Sequence, residues 1–159
     1  MELFQNFPLW SAIAAILFAQ FVKVPITFIA TRKLDWSLLT STGGMPSSHS
    51  AAVTALSTGV AIESGVDSVA FAISAMFAII TMFDATGVRR QAGEQAIVLN
   101  QLVTDFNKFV DEAKSWPKKP EQEKRKELKE LLGHKPVEVF FGGLTGVLLT
   151  LVIYYFLSL

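Results

Sequence analysis

The feature that most constrains this chain is uninterrupted uncharged length. From Val137 to Leu159 the segment "VEVFFGGLTGVLLTLVIYYFLSL" holds a single charged side chain, Glu138, at its second position. A helix needs roughly 20 apolar residues to cross the hydrocarbon core of a bilayer, so this stretch predicts a spanning helix. Residues 8–30 form another, interrupted only by Lys23 and Pro25, and residues 66–83 a third. Residues 48–62 are weaker, rich in Ala, Ser and Thr, and cross a membrane only if neighbouring helices shield their hydroxyls. The expected fold class is all-α: an integral membrane bundle of about four transmembrane helices (about 8–30, 48–62, 66–83 and 137–159). A cytoplasmic amphipathic helical segment over about 88–135 completes a single membrane domain, 1–159. A hydrophobic content of 51% in 159 residues is in keeping with this.

Charge placement then sets a topology. Arg32 and Lys33 lie between the first two spans, and Arg89, Arg90 and every later Lys and Arg lie between the last two. Lys23 is the one basic residue elsewhere, while Glu2, Glu63 and Asp67 lie on the opposite side. By the positive-inside rule the basic loops face the cytoplasm and both termini face out, as in a multi-pass cell-membrane protein. The N-terminal "MELFQNF" has no positive charge, so it reads as the approach to a span rather than as a cleavable signal peptide. The 14 basic residues balance 14 acidic ones, which gives no sign of a nucleic-acid partner. The absence of cysteine excludes disulfides, thiolate metal sites and cysteine nucleophiles.

Within the cytoplasmic segment, Leu99, Leu102, Val103, Phe106, Phe109, Val110 and Ala113 recur at helical spacing over residues 94–114, giving one apolar face. Such a helix suits a membrane surface or the underside of the bundle. "SWPKKP" breaks it, and "EQEKRKELKELLG" follows as a second, charged helix ending at Gly133.

The residues able to do chemistry gather at the cytoplasmic mouths of the spans. His49 begins the second span and His134 precedes the fourth, so antiparallel packing would bring the two imidazoles together. Glu138 lies one helical turn beyond His134, where its carboxylate can orient the ring and leave the other nitrogen free as nucleophile or base. The bland alternative is that Glu138 turns back to the interface beside Lys135. Arg89 and Arg90 suit phosphate oxygens, or serve only as interfacial anchors. Asp84 supports them by pairing with one. Lys23, charged within a span, is either a snorkelling stem or a phosphate ligand. In "GGMPSSHSA", Ser47 and Ser48 add hydroxyl donors at a helix N-terminus whose free N–H groups favour an anion. The acidic residues are scattered and the histidines are far apart in sequence, so no metal site is expected.

At these residues the chain resembles the type-2 phosphatidic-acid phosphatase and vanadium haloperoxidase superfamily. It is most similar to its divergent bacterial and plastid branch of small YuiD-like membrane proteins. The motifs that carry this are "GGMPSSHSA", "DATGVRRQAGEQA" with "LNQL", and "LLGHKPVEVFFGG". Ser48 stands where the superfamily motif Pro-Ser-Gly-His has Gly, Glu138 stands for Asp, and Leu128 occupies the place of a motif Arg. The resemblance implies a bacterial inner membrane or a plastid membrane, and metal-independent hydrolysis of a phosphomonoester through a phosphohistidine, with no cofactor. His134 would be the nucleophile, Glu138 its orienting carboxylate and His49 the acid. Ser47, Ser48, Arg89, Arg90 and Lys23 would hold the phosphate. The expected partners are a lipid phosphate or other phosphomonoester and the membrane lipids; a homodimer is compatible with the Gly-rich "GGLTG" of the last span. The alternatives are a non-catalytic membrane protein that binds phosphate or anionic lipid for transport or scaffolding, and a CDP-alcohol phosphotransferase-like enzyme. The second of these lacks the spaced aspartates that would hold divalent metals.

Overall fold

The structure, a computed structural model, describes residues 2–41, 43–113 and 133–158. All of its regular elements are helical: α1 (Phe7–Thr31), α2 (Ser48–Ser64), α3 (Val69–Thr86), α4 (Val88–Ala113) and α5 (Pro136–Leu157), with short 3₁₀ turns at Glu2–Gln5 and Trp36–Thr40. The charged helix expected over 121–133 lies outside the described residues apart from Gly133.

Each boundary has a local cause. Asn6 caps α1 by accepting from the Leu9 N–H, and Pro8 sits where a first helical turn tolerates it. Ser47 caps α2 by accepting from the Ser50 N–H at 3.3 Å. The third helix begins at Val69 rather than at residue 66, because Gly65 turns the chain at φ 85° and Ser68 caps the helix through the Phe71 N–H. Gly87 ends α3, and α4 starts at the next residue, giving a helical stretch from Val69 to Val110.

Among the described residues three segments are long and apolar enough to cross a membrane: α1, the stretch from α3 into α4, and α5; the expected second span, α2, is not one of them, being only 17 residues long and rich in Ala, Ser and Thr. Outward-facing Phe21, Ile73, Phe77, Phe83, Phe140 and Leu148 are all more than half exposed. Large exposed apolar side chains on the outside of a tightly packed helical bundle are what a bilayer covers, so this is a membrane protein.

The centre belongs to α2, which is less apolar than α1, α3 and α5. It packs on α1, α3 and α5, and its Ala51 and Ala55 join Ala15 and Ala19 of α1 in a fully buried cluster, with Leu149 of α5 against it. Small residues permit this closeness. A Cβ on Gly142 would collide with the Ser47 carbonyl, and one on Gly146 with the Ala51 carbonyl and the Thr54 hydroxyl. The polar groups of α2 are satisfied across the same seam: the Thr54 hydroxyl is 2.9 Å from the Gly143 carbonyl, and the Thr150 hydroxyl 3.4 Å from that of Ala55. Together α2 and α5 bring their N-termini to the end of the bundle where α3 finishes.

Candidate functional site

Two backbone hydrogen bonds build the site. The Ser47 N–H donates to the Glu138 carbonyl at 3.0 Å, fixing the start of α2 to the first turn of α5. The His134 N–H donates to the Ala85 carbonyl at 3.0 Å, fixing the approach to α5 onto the end of α3. Gly133 is required there: its φ is +87°, and a side chain would collide with the backbone at Arg89–Arg90. Three segments far apart in sequence, around Ser47, Ala85 and His134, are thereby locked at one end of the bundle.

His134 is 2% exposed. Its Nδ1 lies 3.2 Å from Glu138 Oε2, which also accepts the Lys135 N–H at 3.1 Å. A carboxylate accepts only, so the neutral ring carries its proton on Nδ1 and leaves the lone pair on Nε2. That Nε2 is buried and has no hydrogen-bond partner among the described residues. Burial pushes the His134 imidazole below the ordinary histidine range, against the opposing pull of the Glu138 carboxylate. The His49 ring is next to it, centroid to centroid 6.0 Å, and is exposed where His134 is enclosed.

Lys23 reaches this group from α1. It is 1% exposed, and its Nζ donates to the Ser41 carbonyl at 3.2 Å, its one hydrogen bond among the described residues. An ammonium carries three donors, so Lys23 holds donors in reserve within electrostatic reach of Glu138, His134 and His49. Arg89 also acts electrostatically on His49, although its Nε is already bonded to Asp84. Arg90 is bonded instead to exposed Glu94 at 2.9 Å. The Ser47 hydroxyl is buried and engaged with the N–H and hydroxyl of Ser50. Ser48 is buried too, and the backbone N–H groups of Ser48 and His49 are the open donors of the first turn of α2.

The structure therefore brings His134, Glu138, His49, Lys23, Ser47, Ser48, Asp84 and Arg89 to one end, with Arg90 at its margin. Gln20 was missed in sequence. Its Nε2 donates to the same Ser41 carbonyl at 3.4 Å, and its Oε1 is buried without a partner among the described residues. The available signal was its spacing, since Gln20 and Lys23 are polar residues one helical turn apart in an apolar helix. Ala85, which acts through its carbonyl, carried no side-chain signal at all. Among the described residues no three His, Cys, Asp or Glu side chains converge as a metal-binding group.

Comparison with known proteins agrees with this architecture. The model of the divergent PAP2 family matches residues 4–149. The chain is 75% identical, over 98% of its length and 99% of the relative's, to a protein of Bacillus subtilis strain 168 described as the uncharacterized membrane protein YuiD. No solved structure matches. The chain belongs to the divergent PAP2 family.

Proposed function

We propose that this divergent PAP2 family member is a membrane-embedded, metal-independent phosphatase that hydrolyses a lipid or isoprenoid phosphate at the cytoplasmic face. One observation carries the reading: a buried, neutral imidazole whose Nδ1 is held by a carboxylate and whose Nε2 has no partner among the described residues, beside a second, exposed imidazole.

In the first step the His134 Nε2 lone pair forms a bond to phosphorus as the bond to the leaving oxygen breaks, and protonated His49 gives that oxygen its proton. Glu138 accepts the Nδ1 proton's hydrogen bond and stabilises the positive charge that develops on the ring. Neutral His49 then takes a proton from water, whose oxygen attacks phosphorus and expels His134. Phosphoryl transfer is catalysed chiefly by positioning and by donors to the equatorial oxygens. Lys23, the open N–H groups of α2 and the free guanidinium nitrogens of Arg89 supply those donors. The basic residues at this end of the bundle support a cytoplasmic orientation.

A second reading, phosphate or anionic-lipid binding without turnover, is favoured by one feature: both arginines already pair with carboxylates. Phosphate release by purified wild type and by His134→Ala, without added metal and with EDTA, over a panel of lipid phosphates, separates the two. EDTA-resistant release that disappears in the variant supports the phosphatase. Absence of release by folded wild type over the whole panel overturns it in favour of the binding protein.

A further inference from the structure

Between Ala12 and Ile26 helix α1 carries only two polar side chains, Gln20 and Lys23, one helical turn apart. Both reach the same atom. The Ser41 carbonyl accepts from Lys23 Nζ at 3.2 Å and from Gln20 Nε2 at 3.4 Å, and its two lone pairs can serve both donors. A carbonyl accepts only, so the Gln20 amide must turn its nitrogen to Ser41 and its Oε1 away. That oxygen is buried and has no partner among the described residues. A glutamine serving only to brace the fold would be expected to bond through both ends of its amide.

The shared carbonyl lies where the approach to α2 begins. The Ser41 N–H closes the Trp36–Thr40 turn by donating to the Leu38 carbonyl at 3.2 Å, and its hydroxyl accepts from the Gly43 N–H at 3.2 Å. Gly44 follows at φ +89°, and a Cβ there would stand 3.9 Å from Lys23 Cδ, so this stretch lies along the lysine stem. Glycines give it little stiffness of its own, and bonds from α1 set its place. If Lys23 were the only tie, turning its ammonium toward an anion would release Ser41. With Gln20 on the same carbonyl, the acceptor stays in position while the other ammonium donors point into the site shared with Glu138, His134 and His49.

We infer that Gln20 is a positioning residue: by sharing the Ser41 carbonyl it fixes where the Lys23 ammonium stands, and its neutral amide does so without quenching the charge that receives a phosphate. A glutamate of the same shape would pair with the ammonium and compete with the anion. The inference rests on the reading of Lys23 as a phosphate donor, and it does not require turnover.

The test measures binding of inorganic phosphate to the full chain in detergent micelles by titration calorimetry. It compares wild type, Gln20→Leu, Gln20→Glu, Lys23→Met and Gln20→Leu combined with Lys23→Met. Release of phosphate from a long-chain alkyl monophosphate is followed on the same preparations, and thermal midpoints confirm that each variant is folded. Gln20→Leu is expected to weaken phosphate binding about fivefold, the size of one hydrogen bond, and the isosteric Gln20→Glu about tenfold or more, as for a bond between charged groups. With Lys23→Met already present, Gln20→Leu changes the affinity less than about twofold, because coupled residues are not additive. In isotope-labelled protein the Lys23 Nζ resonance, assigned by its absence in Lys23→Met, moves in Gln20→Leu before any phosphate is added. Equal effects of Gln20→Leu with and without Lys23, a Nζ resonance that stays in place, or wild-type affinity in Gln20→Glu each overturn the inference. Wild type that binds no phosphate overturns it together with the phosphatase. The expected binding pattern without release keeps Gln20 in its role and removes the phosphatase. Release with additive effects does the reverse.

Discussion

Helices α2 and α5 meet along one seam, yet they are opposite in composition. The last helix is long, strongly apolar and flanked by aromatic residues, and Leu148, Leu151, Tyr155 and Phe156 on its outer surface remain largely exposed. The second is short and rich in Ala, Ser, Thr and Gly, and it occupies the middle of the bundle. In a water-soluble protein the more apolar helix would be the inner one. In a bilayer hydrophobicity does not distinguish inside from outside, because lipid tails are as apolar as leucine. Close backbone approach and shared hydrogen bonds decide which helix is central, and α2 offers both. Its N-terminus is consequently held against that of α5, which is how His49 and His134 come to face one another.

The comparison can be broken most sharply at the two N-termini. On the proposed phosphatase reading, His134→Ala is expected to lower phosphate release about 10⁴-fold or more, as removal of a nucleophile that acts within a catalytic unit does. On the same reading His49→Ala, which removes the acid of the first step and the base of the second, is expected to lower it about 10²- to 10⁴-fold. Equal binding of substrate by both variants, measured in vesicles, would tie these losses to chemistry. If His49→Ala leaves release unchanged, the pairing of the two helix ends is not catalytic.

The pH profile sharpens the same point. Burial pushes the His134 imidazole below the ordinary histidine value of about 6.5, so it stays neutral to pH values below that. The acid limb assigned to His134 therefore lies below that value. Because the unfolded state binds the proton more readily, the associated stability is complete above about 6.5 and is lost as pH falls through the folded value. In Glu138→Gln the opposing pull of the carboxylate is gone, and the limb moves further to acid. A limb that stays in place would show that Glu138 does not act on the ring.

Along the seam the expected effects are smaller and concern stability. Gly146→Val forces a side chain into the Ala51 carbonyl and the Thr54 hydroxyl, and overpacking of this kind costs about 1–3 kcal/mol, read as a lower thermal midpoint in detergent. Thr54→Val removes the bond to the Gly143 carbonyl, worth about 0.6 kcal/mol by the average for such interhelical bonds in membrane proteins. Leu148→Ala, on the outer face of α5 at 52% exposure, changes stability by less than about 0.5 kcal/mol. If Leu148→Ala proves more damaging than Gly146→Val, the assignment of inner and outer faces is wrong.

The helical membrane architecture was legible because lipid imposes length: apolar runs such as 8–30 and 137–159 have few other uses. The start of α2 was legible from Ser47 and Ser48 ahead of an Ala-rich run, whereas the start of α3 shifted from residue 66 to Val69 because Ser68 caps the helix. The pairing of His134 with Glu138 is local, one turn of chain, and needs no knowledge of the rest of the molecule. Other parts of the site arise from contacts across the chain. The Ser41 carbonyl is claimed by both Lys23 and Gln20, and the Ala85 carbonyl by His134. A backbone acceptor leaves no trace in side-chain identity, so neither could be read in advance. The two arginines looked equivalent as a dipeptide, yet successive helical residues point about 100° apart. Arg89 accordingly reaches Asp84 near His49, and Arg90 reaches Glu94.

Sequence by itself determined that this chain enters a membrane as a helical bundle and which few polar residues it takes with it. Hydrophobic length and charge are properties of a segment, and a bilayer reads them one segment at a time. Only the tertiary structure decided that α2, less apolar than the α1, α3 and α5 it packs on, lies at the centre, and that Nε2 of His134 is left without a partner among the described residues. Those outcomes depend on which glycines and alanines meet across helices separated by tens of residues, and no single segment encodes that.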